Sequence, residues 1–144
     1  MQDRYKVTVF TPTYNRAYII EKLYRSLQCQ TCTDFEWLVV DDGSKDETEQ
    51  LFAQWSREEN PFPIRYVKQE NGGKCRAINR GMELARGELF FNVDSDDYLT
   101  ADAVEKVIRW EEVLPRGGQY CALAKSSDNT PVQVPVPRVP SVVY

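Results

Sequence analysis

The chain has 144 residues, enough for one domain with a real hydrophobic core and short for two. A formal net charge of -4, with lysines and arginines scattered along the chain, offers no basic stripe to track a phosphate backbone, so nucleic acid is set aside as a partner. No apolar run approaches the roughly 20 residues that cross a bilayer, and Met1 to Lys6 leads into a β-like run without the apolar stretch of a secretory signal. The expectation is a cytoplasmic protein with no transmembrane segment, and peripheral membrane association is left open.

Lys6 to Thr11 is β-branched and apolar and runs into Pro12-Thr13-Tyr14-Asn15-Arg16, which predicts a first strand and its exit loop. Ile19, Ile20, Leu23 and Leu27 then fall on one helical face. Phe35 to Val40 predicts a second strand, with Asp41-Asp42-Gly43 as its exit. Ser44 and Glu47 have the spacing of a capping box opening a helix with Leu51, Phe52 and Trp55 inward. A third strand near Ile64 to Val67 leads through Asn71-Gly72-Gly73 into a helix carrying Ala77, Ile78, Met82 and Ala85, with Gly87 as its stop. Leu89 to Val93 predicts a fourth strand, followed by Asp94-Ser95-Asp96-Asp97 and a helix from about Ala101 to Val113 with Thr100 as N-cap.

Beyond Pro115 the pattern changes. Tyr120 to Ala124 reads as one more strand, and Pro131, Pro135, Pro137 and Pro140 exclude a central strand or helix, which predicts an extended Pro/Val-rich tail. The expected division is a domain over 1–125 and a tail over 126–144. Strands alternating with helices predict an α/β fold with a mostly parallel sheet covered on both faces, whose ligands sit beyond the carboxyl ends of the strands. Every unusual polar cluster, Pro12 to Asn15, Asp41-Asp42, Asn71 to Lys74 and Asp94 to Asp97, follows one of those ends.

Each cluster has a chemical and a plain reading. Alternate carboxylates at a strand exit suit a hard divalent cation, whose shell is completed by water and substrate phosphates, yet Asp and Ser are also ordinary turn residues. Asp41 and Asp42 either accept hydrogen bonds from a base or ribose or simply end a strand. Gly72-Gly73-Lys74 places free amides, a helix dipole and a cation where an anion would be favoured, although Lys74 is equally a solvated first-turn lysine. Neither a Walker A loop nor GxGxxG after a strand is present. Cys29 and Cys32 have CxxC spacing, but without a second pair or any histidine they read as free thiols.

Taken in order, Val9 to Arg16, Ser26-Leu27 with Gln30-Thr31, Phe35 to Ser44, Glu70 to Lys74, Ala77-x-Asn79-x-Gly81, Ala85-x-Gly87-Glu88 and Asp94 to Asp97 resemble the family-2 glycosyltransferases, over roughly residues 5 to 115. The resemblance implies a Rossmann-like GT-A three-layer α/β/α sandwich. It also implies transfer of a sugar from a nucleoside-diphosphate sugar, UDP-linked first, to an acceptor hydroxyl with inversion, in polysaccharide or glycoconjugate synthesis. Pro12, Thr13 and Tyr14 would then border the base pocket, with Asn15, Asp41, Asp42, Lys74, Asp94 and Ser95 on the nucleotide. Asp96, helped by Asp94, would hold Mn²⁺ or Mg²⁺ on the diphosphate. The acceptor would be a saccharide or lipid-linked saccharide. The family's general base lies well downstream of the acidic motif, so none is assigned here. Two other classes stay in view: a non-catalytic nucleotide-binding or interaction fragment, and a nucleotidyltransferase. The second sits poorly with Pro12 to Arg16, where a Gly-rich basic loop would be needed.

Overall fold

The computed structural model describes residues 5–113, with side chains through 109. Within that span the order is β1 (Tyr5–Thr13), α1 (Glu21–Gln28), β2 (Phe35–Asp41), α2 (Thr48–Trp55), β3 (Ile64–Lys68), α3 (Lys74–Leu84), β4 (Gly87–Asn92) and α4 (Ala103–Val113). The predicted strand at Tyr120 to Ala124 and the boundary at 125/126 lie outside the described residues.

The strands form one sheet in the order β3-β2-β1-β4, and every pairing is parallel. A parallel sheet hides both faces, which is why β2 is buried at all seven positions, whereas the edge strands β3 and β4 are only partly so. Side chains alternate between two cores. On one face Val7, Val9, Trp37 and Val39 meet Leu23, Leu27, Phe52, Trp55 and Val104 from α1, α2 and α4. On the other, Phe10, Leu38 and Val40 meet Ala77 of α3. This is the α/β/α layering expected from the alternation of elements.

The first core is aromatic. Tyr24 stacks on Trp55 at 4.3 Å between centroids, Phe52 stacks on Tyr66 at 4.9 Å, and the Trp37 indole donates to Thr11 Oγ1 at 3.0 Å. Buried rings of this size bring large apolar areas out of water and fix one another's orientation. On the opposite face a charge is buried instead. Glu36 is fully enclosed, paired with Arg65 at 2.8 Å, and accepts from Thr8 Oγ1 and the Arg86 amide.

Four element ends differ from expectation, one of them the start of α4, which begins at Ala103 rather than directly after Thr100. Pro12 and Thr13 belong to β1 rather than to its exit loop, because the ladder with β2 continues to Thr13↔Asp41. The Ser44–Glu47 capping box does not form. Ser44 is drawn into contacts with Asn15 in the loop after β1 and with Asp41 of β2, the helix begins at Thr48, and the Asp46 carboxylate accepts from the Thr48 amide. Gly87 does not stop α3; the helix ends at Leu84, Ala85 turns extended, and the freed Arg86 amide goes to Glu36. Met82, counted with the inward positions, is 48% exposed.

Gly87 has another task. It opens β4 against β1, donates its amide to Thr8 Oγ1, and a Cβ there would lie 2.3 Å from the Thr8 backbone nitrogen. Backbone cannot move aside as a flexible side chain can, so Gly87→Ala is expected to cost about 1–3 kcal/mol of stability. Urea denaturation checks it: the midpoint should fall with the slope unchanged, and an unaltered midpoint would show that the strand shifts freely.

Candidate functional site

The parallel sheet brings all four strand exits to one rim. Thr13, Asp41 and Lys68 stand in one row of the ladder, while β4 leaves three rows earlier, opposite Phe10. The acidic segment that follows β4 therefore lies beside the last residues of β1, and the Val93 amide is tied to Phe10 O at 2.8 Å.

The first two exits are laced together. Asn15 adopts a φ of +53°, a left-handed conformation that asparagine tolerates better than most residues. Its amide donates to Ser44 Oγ at 2.8 Å, and its own Oδ1 accepts from the Lys45 amide at 2.8 Å. Asp41 is fully buried; it accepts from the Ser44 amide at 2.8 Å and from the Tyr66 hydroxyl. Burial first, and then that carboxylate, push the Tyr66 hydroxyl well above the usual phenol range. Asn15 and Asp41, both expected at the nucleotide, are thus engaged in holding loops and do not border the cleft.

Asp42 points the other way and builds the third exit. Its Oδ1 accepts from Gln69 Nε2 at 3.1 Å and the Gly72 amide at 2.9 Å, and its Oδ2 accepts from the Gly73 amide at 2.9 Å. The start of α3 is held against the sheet through these bonds. Gly73 caps the helix at φ +97°, a conformation natural to glycine.

Between the exits lies an open cleft of about 520 Å³. Pro12, Thr13 and Tyr14 line it from β1 and its loop, Asp42 from the second exit, Lys74 from the third, and Asp94, Ser95 and Asp96 from the fourth. Asn71 and Gly73, from the cluster expected at the third exit, line it as well, and so do Arg16 and Ala77, which were not singled out as site residues. Arg16 was visible only as part of a loop motif, and only the folded α3 shows Ala77 to be near the rim. Thr13 Oγ1 is buried with no hydrogen-bond partner among the described residues, a costly arrangement unless a ligand completes it.

On the β4 side, carboxylate oxygens of Asp94, Asp96 and Asp97 lie within 4.8 Å of one another. Asp97 was not among the expected metal residues. Burial first, and then the charges of Asp96 and Asp94, push its carboxyl above the ordinary range, with Lys74 opposing. Hard oxygen donors gathered this closely are the donor set that Mg²⁺ and Mn²⁺ take. Lys74 Nζ stands 3.1 Å from Asp94 Oδ1.

Asp42 gives the rim a pH dependence. Burial works to raise its pKa, but the bonds from Gln69, Gly72 and Gly73, with the charge of Arg76, outweigh it and hold the carboxyl below its ordinary 3.8. A carboxylate depressed in the folded state contributes stability in full above its unfolded value, and that contribution is lost as pH falls through the folded one. Asp42→Asn is expected to lose about 1.5–3 kcal/mol at pH 7, the scale of hydrogen bonds to a charged group. The gap to wild type should narrow below pH 3.8; urea midpoints that stay equally far apart there would show that ionisation is not what holds the loop.

Residues 8–140 match the family model described as glycosyl transferase family 2. The glycosyltransferase GlyA of Streptococcus pneumoniae is 34% identical over 119 residues, which cover 80% of this chain and 17% of that protein. Chondroitin synthase of Escherichia coli is 36% identical over 99 residues, 69% of this chain and 14% of that protein. Among solved structures, TarS 1-349 of S. aureus in complex with UDP-GlcNAc aligns with a TM-score of 0.69 and 30% identity, over 75% of this chain and 31% of that one. The mannosyltransferase PcManGT of Pyrobaculum calidifontis, in complex with GDP-Man and Mn²⁺, aligns with a TM-score of 0.69 and 29% identity, over 75% of this chain and 32% of that one. The chain spans less than a third of the length of each of these four. The parallel sheet between helices is the Rossmann-like GT-A arrangement that the sequence resemblance implies, and the chain belongs to glycosyl transferase family 2.

Proposed function

We propose that the rim cleft binds a nucleoside-diphosphate sugar, UDP-linked in the first instance, together with Mn²⁺ or Mg²⁺ held by Asp94 and Asp96. The sugar passes to a hydroxyl of a saccharide or lipid-linked saccharide, with inversion, in cell-surface polysaccharide or glycoconjugate synthesis in the cytoplasm. The observation that carries this reading is the meeting, in one cleft, of clustered acidic oxygens and the start of α3. Solved relatives that hold UDP-GlcNAc, or GDP-Man with Mn²⁺, support it.

In the transfer, the bond from the anomeric carbon to the diphosphate oxygen breaks and a bond to the acceptor oxygen forms. The acceptor's proton passes to a base that is not assigned among the described residues. Pro12, Thr13 and Tyr14 would border the base and ribose. Asp42 would shape that pocket by fixing the amides of Gly72 and Gly73. Lys74, at the start of α3, would face the diphosphate, where a helix N-terminus favours an anion. A divalent ion on Asp94 and Asp96 would neutralise charge on the departing diphosphate.

Calorimetric titration with UDP and GDP, with and without Mn²⁺, tests the reading. UDP binding that strengthens with Mn²⁺, and an Asp96→Ala variant that has lost that dependence, is the expected result. A folded chain that binds neither nucleotide would instead favour a non-catalytic interaction fragment. Thr13→Val separates binding from folding. Removing a hydroxyl that has no partner among the described residues should leave stability unchanged or higher, while UDP affinity falls about two- to ten-fold, the worth of one hydrogen bond. An unchanged UDP affinity would remove Thr13 from the site.

A further inference from the structure

Lys74 is fixed at its backbone and more than half-exposed along its side chain. It is the first residue of α3, behind a glycine cap whose amide is bound to Asp42, and its side chain is 59% exposed and reaches Asp94 Oδ1 at 3.1 Å. The neighbouring acids differ sharply in how they are used. Asp42 and Asp41 receive their hydrogen bonds from the protein's own amides and side chains in buried positions. The carboxylate of Asp94 is 44% exposed and, among the described residues, is met by this ammonium. Such a pair is weak, because water competes for both ends and a long flexible stem must be held still.

We propose that Lys74 serves as a stand-in counter-ion. It neutralises Asp94 when the cleft is empty, and it exchanges to the donor's diphosphate when a divalent cation takes the carboxylate. This rests on the function proposed above. A divalent cation arriving at Asp94 competes with the Lys74 ammonium for the same carboxylate and repels it, so metal binding favours release of Lys74. The released side chain stands at the start of a helix, where an anionic ligand is already favoured. Metal and diphosphate then assist each other through the lysine, and such assistance is reciprocal by thermodynamic necessity.

The test is a titration of Mn²⁺ alone, read by electron paramagnetic resonance of the free ion, into wild type, Lys74→Met, Lys74→Arg and Asp96→Ala. UDP affinity is then measured with and without Mn²⁺. Lys74→Met should bind Mn²⁺ up to about five-fold more tightly than wild type, the reach of an exposed ion pair. Lys74→Arg should stay near wild type, and the factor by which Mn²⁺ improves UDP binding should shrink in Lys74→Met. Mn²⁺ affinity that is equal or weaker in Lys74→Met, with Asp96→Ala still defective, would overturn the exchange and leave the proposed donor site standing. No saturable Mn²⁺ binding to either wild type or Lys74→Met would remove the metal site and the exchange together.

Discussion

The rim of this domain depends on two adjacent carboxylates at the end of β2. Successive residues leaving a strand face opposite ways, so Asp41 and Asp42 serve different loops. Asp41 turns into the protein and gathers the Ser44 amide and the Tyr66 hydroxyl, and Ser44 in turn holds the Asn15 amide. Asp42 turns toward the cleft and gathers the segment that opens α3. Three of the four strand exits therefore hang on one central strand. Buried amides need acceptors, and an ionised carboxylate supplies more acceptor sites than any neutral side chain of that size.

The aromatic core reaches this rim through Tyr66. Its ring stacks on Phe52 of α2 while its hydroxyl meets Asp41, so packing on one face of the sheet fixes the height of a polar group at the edge. Glu36 has an equivalent place on the other face. Its fully buried carboxylate draws Arg65, Thr8 and the Arg86 amide together where α3 gives way to β4. A buried ion pair gives little net stability over a well-packed apolar alternative, but leaving one partner unmatched is expensive. The Glu36 cluster is better understood as fixing the entry of β4 than as strengthening the fold.

The layering was legible in the sequence because it rests on periodicity: four apolar strands, four intervening helical faces, and polar residues at each exit. The gathering of those exits followed from parallel topology alone. What stayed hidden depended on contacts between distant segments. Nothing local tells that Asp42 rather than Asp41 borders the cleft, since both follow the same strand. Ser44 and Glu47 have the spacing of a capping box, yet the tertiary demand of Asn15 and Asp41 on Ser44 outweighs the local motif, and Asp46 takes over the helix start. Gly87 resembled a helix stop, whereas its lack of a side chain serves the close approach of β4 to β1. Asp97 and Arg16 joined the site only once the loops were placed.

The two sides of the cleft are built with opposite stiffness, and this bears on how a ligand is recognised. On the β2 side the carboxylate of Asp42 is already occupied by three donors, so the loop at Gly72 and Gly73 is preorganised and binding need not order it. On the β4 side clustered acids repel one another, Asp96 is exposed, and the bond shown to the Asp94 carboxylate is a half-exposed ion pair. Charge there is unbalanced until cations arrive. A ligand carrying both a flat polar ring and a phosphate-bound cation meets a rigid surface at one end and an adaptable one at the other. Under the proposed function, discrimination among bases would belong to the first side, while the second would answer to any group that brings the right charge.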